Sequence, residues 1–207
     1  MGSATAHEAI GRRGAMDSAI KPIAPHMKVT GPAFCVTCAP GDNLALHCAV
    51  SVAPAGSVLV VDAAGFSEAG LWGDILTDAA MRKGIAGLVI DGAVRDSEAI
   101  EALGFPVFAR AISIKGPTKD KGGAIATSIV CGGVSLSPGD IIVADRDGVV
   151  VIPQSEAADA FSRAVARTAA EVAIREGLAH GQSTLELLGL NRLAAEKGLL
   201  SIATQTS

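Results

Sequence analysis

Two short stretches of almost uninterrupted apolar residues limit most strongly what this chain can fold into. Residues 57–62 read SVLVVD and residues 85–91 read IAGLVID. Strands that are apolar on both faces are typical of parallel sheets, whose faces are covered by helices. A helix is predicted between the two strands, over residues 74–83, and Gly84 closes it. The pattern therefore predicts a parallel α/β core.

The rest of the chain extends this pattern and then changes character. The second half is rich in short strands joined by turns such as Asp145-Arg-Asp-Gly148, a hairpin signal, and it ends in helices. Residues 1–14 are polar and aperiodic and are predicted to form a loose arm, and residues 63–73 a glycine-punctuated loop. The further predicted strands span 29–37, 106–109, 124–131, 141–144 and 149–152, and the further predicted helices span 43–52, 97–103, 155–176 and 184–197. The expected fold class is α/β: one layered β/β/α domain of the swivelling type over residues 1–207, with C-terminal helices.

The composition excludes several classes of function. The net charge is −4, and no cluster of Lys and Arg is larger than a pair, so the chain lacks the basic stripe that a nucleic-acid partner needs. The longest stretches without charged residues, 43–61 and 122–139, are interrupted by proline, glycine and polar residues, so no membrane span is expected. The N-terminus has no apolar signal core, and a cytoplasmic protein is expected.

The four cysteines leave a thiol function open. Cys35-Val-Thr-Cys38 has the spacing of redox-active and zinc-binding pairs. It lies in a predicted strand, however, where residues three apart face opposite sides. No second pair of this kind completes a zinc site, and the four histidines are scattered. Small buried thiols are the favoured interpretation.

Charged residues stand near the points where the two apolar strands end. Asp74 follows the glycine-punctuated loop, and Arg95 and Asp96 follow the second strand. Ligands of open α/β sheets bind beyond the carboxyl ends of the strands, so the three side chains are candidates for one cleft. The N–H groups of a helix start attract carboxylates, Arg offers a planar fork of donors, and Asp offers a hard oxygen ligand. The structural alternative is that Asp74 caps a helix and that Arg95 and Asp96 form a surface ion pair beside a second cap.

The surrounding sequence resembles a known enzyme family. Gly73-Asp74 and Ile90-Asp-Gly-Ala-Val-Arg95-Asp96, followed by Gly104-Phe-Pro-Val-Phe and preceded by Gly31-Pro-Ala-Phe and Pro40-Gly-Asp-Asn-Leu-Ala-Leu-His47, are similar to the class II 4-hydroxy-4-methyl-2-oxoglutarate / 4-carboxy-4-hydroxy-2-oxoadipate aldolases. These enzymes share their fold with the ribonuclease E activity regulator proteins. The resemblance covers residues 29–153 and, more loosely, the C-terminal helices. It implies a lyase that cleaves such 2-oxo acids by a retro-aldol reaction and releases pyruvate through a metal-stabilised enolate, with oxaloacetate decarboxylation as a side activity.

The resemblance also implies roles for single residues. Asp96 binds Mg²⁺ or Mn²⁺, Arg95 contacts the pyruvyl oxygens, and Asp74 holds a metal-bound water. The backbone amides of the segment Gly73, Asp74, Ile75 and Leu76 receive the substrate carboxylate. Glu171, from the C-terminal helix of a neighbouring subunit, completes the water shell. The resemblance also implies a homotrimer or a homohexamer, because the family forms such assemblies.

One position departs from the family pattern. The family has an acid three residues after the metal-binding Asp, where this chain has Ala99, and Glu98 lies one position earlier. The regulator proteins often lack the Asp that follows the Arg, so Asp96 favours an aldolase. A non-enzymatic protein that binds ribonuclease E is the alternative.

Two further features bear on mechanism and assembly. A Schiff-base aldolase would need a desolvated lysine, and Lys115 is the candidate, although a solvated loop position is favoured for it. The helix over 155–176 carries Ala and Val on much of its surface, which is more than one core face needs and favours assembly.

Overall fold

The computed structural model describes residues 1–200, which form ten β-strands and seven α-helices. In chain order these are α1 (Ser3–Ala9), β1 (Lys21–Pro22), β2 (Val29–Cys38), α2 (Leu44–Val52), β3 (Val58–Trp72), α3 (Asp74–Arg82), β4 (Gly87–Val94), α4 (Ser97–Leu103), β5 (Val107–Ile112), β6 (Gly123–Ile125), β7 (Ile129–Cys131), β8 (Val134–Leu136), β9 (Ile141–Asp145), β10 (Gly148–Ile152), α5 (Ala157–Ala179), α6 (Thr184–Leu187) and α7 (Asn191–Glu196). The predicted α/β class with C-terminal helices is confirmed.

Eight of the strands build one large sheet. Its order is β1-β5-β4-β3-β2-β9-β10, and β6 pairs with β2 beside this path. The four central strands, β2 to β5, run parallel to one another, whereas β1, β6, β9 and β10 are antiparallel to their neighbours. A separate hairpin joins β7 and β8. The carboxyl ends of the four parallel strands therefore meet at one edge of the sheet, where ligands of such folds bind.

Burial explains why the parallel strands are central. Every residue of β4 is buried, and Val58–Val61 at the start of β3 have no exposed surface. Helices α2, α3 and α4 connect the successive parallel strands. Burying one large aliphatic side chain stabilises a fold by about 1.5–3 kcal/mol, so the two apolar stretches dominate the stability of this sheet.

Strand β3 is much longer than the sequence predicted. The prediction was a strand over 57–62 and a loop over 63–73, whereas β3 continues to Trp72 and stays paired with β4. The pairing register shifts three times after Asp62, which marks β-bulges, and Gly65 has a φ of 69° there. The glycines thus belong to a bulged strand. Sequence alone missed it because the pairing with β4, and not a local apolar alternation, keeps this segment extended.

The N-terminal segment is ordered, so the prediction of a loose arm over residues 1–14 is wrong. Helix α1 packs against β9 and β10, and Ile10 is buried in a small apolar cluster with residues of both strands. Asp145 accepts hydrogen bonds from the backbone N and the Oγ of Ser3, at 2.7 Å and 2.5 Å. The residues that hold α1 come from a distant part of the sequence, which is why the polarity of the segment itself was misleading.

The chain divides into two compact units, Met1–Ala164 and the residues from Val165 onward. In the second unit α6 and α7 replace the single helix predicted over 184–197. The break contains Gly189, whose φ of 64° is a left-handed conformation that glycine adopts easily. None of the helices described within residues 1–200 combines the length and the apolar character needed to cross a membrane.

Candidate active site

A cavity of about 230 Å³ lies at the carboxyl edge of the parallel sheet. Each of the four parallel strands contributes to it. The lining residues are Asn43 and His47 after β2, Gly70 and Leu71 within β3, Gly73, Asp74, Ile75 and Leu76 after β3, Arg95 after β4, and Pro117 and Lys119 after β5. The volume is below the range of about 300–1,000 Å³ that drug-sized ligands occupy, so the cavity suits a small molecule.

Arg95 and Asp96 follow β4 directly. The N–H of Arg95 donates to the carbonyl of Trp72 at 2.8 Å, which ties the end of β4 to the end of β3. The Nε of Arg95 lies 3.3 Å from Oδ2 of Asp96. Asp96 has a φ of 54°, a left-handed conformation that costs an L-residue about 1–2 kcal/mol. Although Asp96 precedes α4 at the cap position, its side chain makes no capping hydrogen bond, so capping does not explain this residue.

Two glycines allow Arg95 to approach β3 closely. A Cβ added to Gly73 would collide with Oδ2 of Asp96 and would lie 3.1 Å from Nε of Arg95. A Cβ added to Gly70 would lie 2.8 Å from Cβ of Arg95 and 2.6 Å from the carbonyl oxygen of Ser113. A larger residue at position 73 would therefore displace Asp96 and crowd Arg95, and one at position 70 would displace Arg95 or the backbone beside it.

Asp74 is the first residue of α3, and Gly73 stands at the N-cap position. Asp74 is therefore not the cap residue, which was the structural alternative for it. Oδ1 of Asp74 accepts a hydrogen bond from the N–H of Ile75 at 2.7 Å, and Oδ2 of Asp96 lies 3.4 Å from the backbone N of Asp74. Two carboxylates thus gather at the start of α3, where the helix dipole stabilises negative charge. We refer to Gly73, Asp74, Arg95 and Asp96 as the Arg95 group.

A buried chain of hydrogen bonds holds the corner between β3 and α3. Trp72 is fully buried, and its Nε1 donates to Oγ1 of Thr77 at 2.7 Å. Oγ1 of Thr77 in turn donates to the carbonyl oxygen of Gly73 at 3.0 Å. Trp72 also stacks on Phe105, with 6.1 Å between the ring centroids. Because these buried polar groups are paired with one another, the corner that carries the Arg95 group is a rigid support.

Three lining residues to which the sequence assigned no role, Asn43, His47 and Lys119, form what we refer to as the Lys119 group. Asn43 is 5% exposed, and its Nδ2 donates to the carbonyl of Leu71 at 2.8 Å. Its Oδ1 is buried and has no hydrogen-bond partner among the described residues. Burial, together with the charge of Lys119, lowers the pKa of His47. Asn43 and His47 belong to the segment Pro40–His47 on which the family resemblance rests, so the sequence offered a signal for them. Lys119 lies in a polar loop that has no sequence motif, so the sequence offered no signal for it.

Asp42 fastens the loop that carries Lys119 to the start of α2. Asp42 has no exposed surface, and its carboxylate accepts hydrogen bonds from the hydroxyl of Thr118 at 2.8 Å and from the N–H groups of Asp120 and Lys121 at 2.7 Å and 3.1 Å. Burial by itself would raise the pKa of Asp42, but these hydrogen bonds outweigh it and hold the pKa well below its ordinary value. The loop is therefore anchored through an ionised carboxylate.

Of the other residues expected at the site, Ile75 and Leu76 lie at the cavity and the two glutamates lie elsewhere. Both Ile75 and Leu76 line the cavity, where Ile75 is 74% exposed and Leu76 is buried. Glu98 is exposed on α4 and does not line this cavity. Glu171 lies on α5, in the second unit, with its Oε1 at 3.3 Å from Nε of Arg167.

Two alternative chemistries find little support in the described residues. Lys115, the candidate for a Schiff base, is exposed and forms a salt bridge with Glu68 at 2.6 Å. Burial raises the pKa of Cys35 to about 11 and that of Cys38 to about 12, so both are thiols at neutral pH. Within residues 1–200 no group of three or more His, Cys, Asp and Glu side chains is arranged to hold a metal ion by itself.

The fold and the cavity define the class: an α/β protein whose parallel strands carry a small-ligand pocket at their carboxyl ends. The chain belongs to the RraA-like family, described as Aldolase/RraA, because the family model matches residues 3–151. The family resemblance inferred from the sequence is thereby confirmed.

The relatives of this chain include a protein named as an aldolase and a protein named as an RNA-processing inhibitor. A protein of Halalkalibacterium halodurans named "Putative 4-hydroxy-4-methyl-2-oxoglutarate aldolase" is 44% identical over 149 residues, which cover 72% of this chain and 71% of that protein. The crystal structure of an uncharacterized protein from Pseudomonas syringae has a TM-score of 0.80 at 31% identity and covers 89% of this chain and 87% of that one. The RNA-processing inhibitor RraA from Thermus thermophilus has a TM-score of 0.63 at 29% identity and covers 68% of this chain and 85% of that one.

Proposed function

We propose that the chain is a divalent-metal-dependent pyruvate aldolase that cleaves 4-hydroxy-4-methyl-2-oxoglutarate or 4-carboxy-4-hydroxy-2-oxoadipate. The observation that carries the proposal is the placement of Arg95 beside the carboxylates of Asp74 and Asp96 at a small cavity. The relative from Halalkalibacterium halodurans supports the same reaction. Oxaloacetate decarboxylation is proposed as a side activity because it also leaves negative charge on a 2-oxo oxygen.

The chemistry of the donor set suits a hard divalent cation. Asp74 and Asp96 supply carboxylate oxygens, and proteins usually bind Mg²⁺ through one or two carboxylates together with waters and substrate oxygens. The absence of a side chain on Gly73 leaves space beside Oδ2 of Asp96 that a Cβ would fill. Asp96 is proposed to hold Mg²⁺ or Mn²⁺, and Asp74 a water of the ion's shell. When bound, such an ion supplies Lewis-acid polarisation of the 2-oxo group.

Arg95 is proposed to stabilise the charge that cleavage produces. In the reaction the C4 hydroxyl loses its proton, the C3–C4 bond breaks, and the electron pair moves onto the oxygen at C2 of the pyruvate part. Protonation at C3 then completes pyruvate. A preorganised donor aimed at such an oxygen contributes about 2.7–4 kcal/mol to catalysis. Arg95 is preorganised in this way by the hydrogen bond from its N–H to the carbonyl of Trp72 and by its close approach to Gly70 and Gly73.

The start of α3 is proposed to receive the substrate carboxylate through the amides of Gly73–Leu76. Two of these amides already face carboxylate oxygens, since the N–H of Ile75 donates to Asp74 and the backbone N of Asp74 lies near Asp96. These contacts support a carboxylate site at this helix start. A substrate that took over these donors would release the side chain of Asp74, which is then proposed to guide a proton through water.

Assembly into a homotrimer or homohexamer is part of the proposal, with Glu171 of a neighbouring subunit completing the site. Large apolar side chains on α5 support it: Phe161 is 61% exposed, Val165 55% and Val172 51%. Sedimentation velocity is expected to give a trimer or hexamer, and Glu171→Gln is expected to lower activity. A fully active monomer would contradict the role proposed for Glu171.

The reaction is tested by measuring pyruvate release from a panel of 4-hydroxy-2-oxo acids and oxaloacetate with added Mg²⁺ or Mn²⁺. Activity is expected to disappear with a chelator and return with the ion. Arg95→Ala and Asp96→Ala are each expected to lower kcat by about 100-fold or more. Arg82→Ala is the matched control, because Arg82 is exposed on α3 and, within residues 1–200, forms its salt bridge with Asp78. If no substrate is cleaved, the aldolase proposal fails and the non-enzymatic, ribonuclease E regulator-like alternative takes its place.

A further inference from the structure

We infer that Asn43, His47 and Lys119 bind the far end of the substrate and select acids that carry a hydroxyl and a second carboxylate there. The inference rests on the proposed function and adds the residues that choose among 2-oxo acids. The Arg95 group would bind the 2-oxo end that all candidate substrates share. The Lys119 group would distinguish a 4-hydroxy-2-oxo acid with a second carboxylate from one without it.

Asn43 provides the evidence for the hydroxyl. Buried polar atoms almost always have a hydrogen-bond partner, yet Oδ1 of Asn43 has none among residues 1–200. The orientation of the amide is fixed, because Nδ2 donates to the carbonyl of Leu71 at 2.8 Å. Asn43 also lines the cavity, so the residue that carries this unpaired acceptor borders the ligand space. The matching ligand group is a donor without positive charge, and a hydroxyl is such a group.

Lys119 provides the evidence for the second carboxylate. It lines the cavity, is exposed, and forms no salt bridge within the described part of the chain. Its neighbours Thr118 and Asp120 are both hydrogen-bonded to Asp42, so the loop presents the ammonium group from a fixed base. A positioned cation without a protein partner fits an anionic ligand group.

His47 completes the group without adding a second positive charge. It lies four residues after Asn43, so the two lie on the same side of the start of α2. Burial and the charge of Lys119 lower the pKa of His47, so its ring is neutral at pH 7 and offers one donor and one acceptor. The cavity is therefore lined by two permanent cations from two loops, Arg95 and Lys119, which match an acid with two carboxylates.

The first test compares kcat/KM for 4-hydroxy-4-methyl-2-oxoglutarate and for 4-hydroxy-2-oxopentanoate, which lacks the second carboxylate. Lys119→Met is expected to lower kcat/KM about tenfold for the dicarboxylate, mainly through a higher KM. A tenfold change is about the effect of losing one charge-assisted hydrogen bond. The effect on the monocarboxylate is expected to stay within about twofold, and Lys119→Arg is expected to restore most of the preference. Lys121→Met is the matched control, because Lys121 lies in the same loop and does not line the cavity.

A second test measures binding without turnover, by calorimetry with Mg²⁺ present. The probes are 2-oxoglutarate and 2-oxobutyrate, which differ in the second carboxylate. Wild type is expected to prefer 2-oxoglutarate, and Lys119→Met to lose that preference. A preference that depends on Lys119 without any pyruvate release would support the inference and reject the aldolase. Pyruvate release with an unchanged preference in Lys119→Met would reject the inference and leave the aldolase standing.

The role of Asn43 is tested with two acids that differ only in the hydroxyl at C4. Wild type is expected to have a lower KM for 4-hydroxy-2-oxoglutarate than the Ki it shows for 2-oxoglutarate, and Asn43→Ala is expected to bring the two values within about twofold of each other. A melting curve checks that this variant folds, and His47→Gln provides a second variant at the same group. If Asn43→Ala folds and keeps the full difference, the assignment of the hydroxyl to Asn43 is wrong.

Discussion

The two groups of residues at the cavity are held in place by different means. The Arg95 group depends on close packing, because Gly70 and Gly73 leave no room for a Cβ and the corner beneath them is closed by Trp72 and Thr77. The Lys119 group depends on a polar anchor, the carboxylate of Asp42, which collects hydrogen bonds from the loop after β5. Packing of the first kind tolerates almost no change in volume, whereas an anchor of the second kind depends on charge and therefore on pH. Under the proposed function, reaction and selection are thus separable by mutation.

Among the changes that test how the two groups are held in place, Gly73→Ala is expected to have the largest effect. The added Cβ would collide with Asp96 and crowd Arg95, and a displacement of about 1 Å at a reaction centre can lower the rate 100-fold. We expect kcat to fall by about 10- to 100-fold, with the preference for a second carboxylate unchanged. Gly116→Ala is the control, because its Cβ would lie 3.5 Å from Nη1 of Arg95, an ordinary contact. Equal rates for Gly73→Ala and wild type would show that the close approach is unimportant.

Asp42→Asn is expected to weaken the anchor of the Lys119 group and to lower the free energy of unfolding by an amount that depends on pH. The pKa of Asp42 is lowered in the folded protein, so the ionised carboxylate stabilises the fold above its unfolded pKa of about 3.9. That contribution declines as pH falls below this value and is lost once pH passes the lowered pKa of the folded state. Urea unfolding should therefore show a less stable variant at pH 7 and a shrinking difference between pH 4 and pH 2. Asp120→Asn is the control, since only its backbone contacts Asp42. A difference that did not vary with pH would contradict the ionised anchor.

Thr77→Val is expected to have a smaller effect, on stability more than on chemistry. It leaves Nε1 of Trp72 buried without a partner, which costs about 1–3 kcal/mol. The melting temperature should fall by roughly 2–4 °C for each kcal/mol, and Thr77→Ser, which keeps the hydroxyl, should retain most of the stability. If Thr77→Val melts like wild type, the corner beneath the Arg95 group does not rely on this hydrogen bond.

The smallest effect is expected from Lys115→Gln. Lys115 and Glu68 are both about two-thirds exposed, and such pairs contribute about 0–1 kcal/mol. Pyruvate release should be unchanged, and borohydride should not trap pyruvate on the protein. Loss of activity in this variant would revive a Schiff-base mechanism and remove the central role of the Arg95 group.

The difference between the two groups also explains what the sequence could predict. The parallel strands were predictable because buried strands are apolar runs in the sequence, such as residues 57–62. The helices that connect them were predictable too, and helix α4 matches its predicted bounds. The length of β3 and the order in α1 were missed because both depend on residues distant in sequence. Local pattern therefore specified the core and its connections, and tertiary pairing specified the rest.

The candidate site divides in the same way. Asp74, Arg95 and Asp96 were found because they stand at the ends of strands that the apolar pattern reveals. Asn43 and Lys119 meet at the cavity only because Asp42 draws a loop about 80 residues away onto the start of α2. No local pattern encodes such a contact. Neither an acidic residue beside a Gly turn nor a polar loop that contains a lysine is a distinctive signal in a sequence.

The anchoring of the loop after β5 has a consequence for how this protein can change. Asp42 holds residues 120–122 through backbone N–H groups, and every amino acid except proline supplies one. Because the tether uses backbone groups, it would persist when the neighbouring side chain of Lys119, which lines the cavity, is exchanged. Under the proposed function, single substitutions of Lys119 would therefore change the ligand preference and leave the Arg95 group in place. Directed evolution confined to this loop, with proline excluded, is the natural route to variants that accept a different acid.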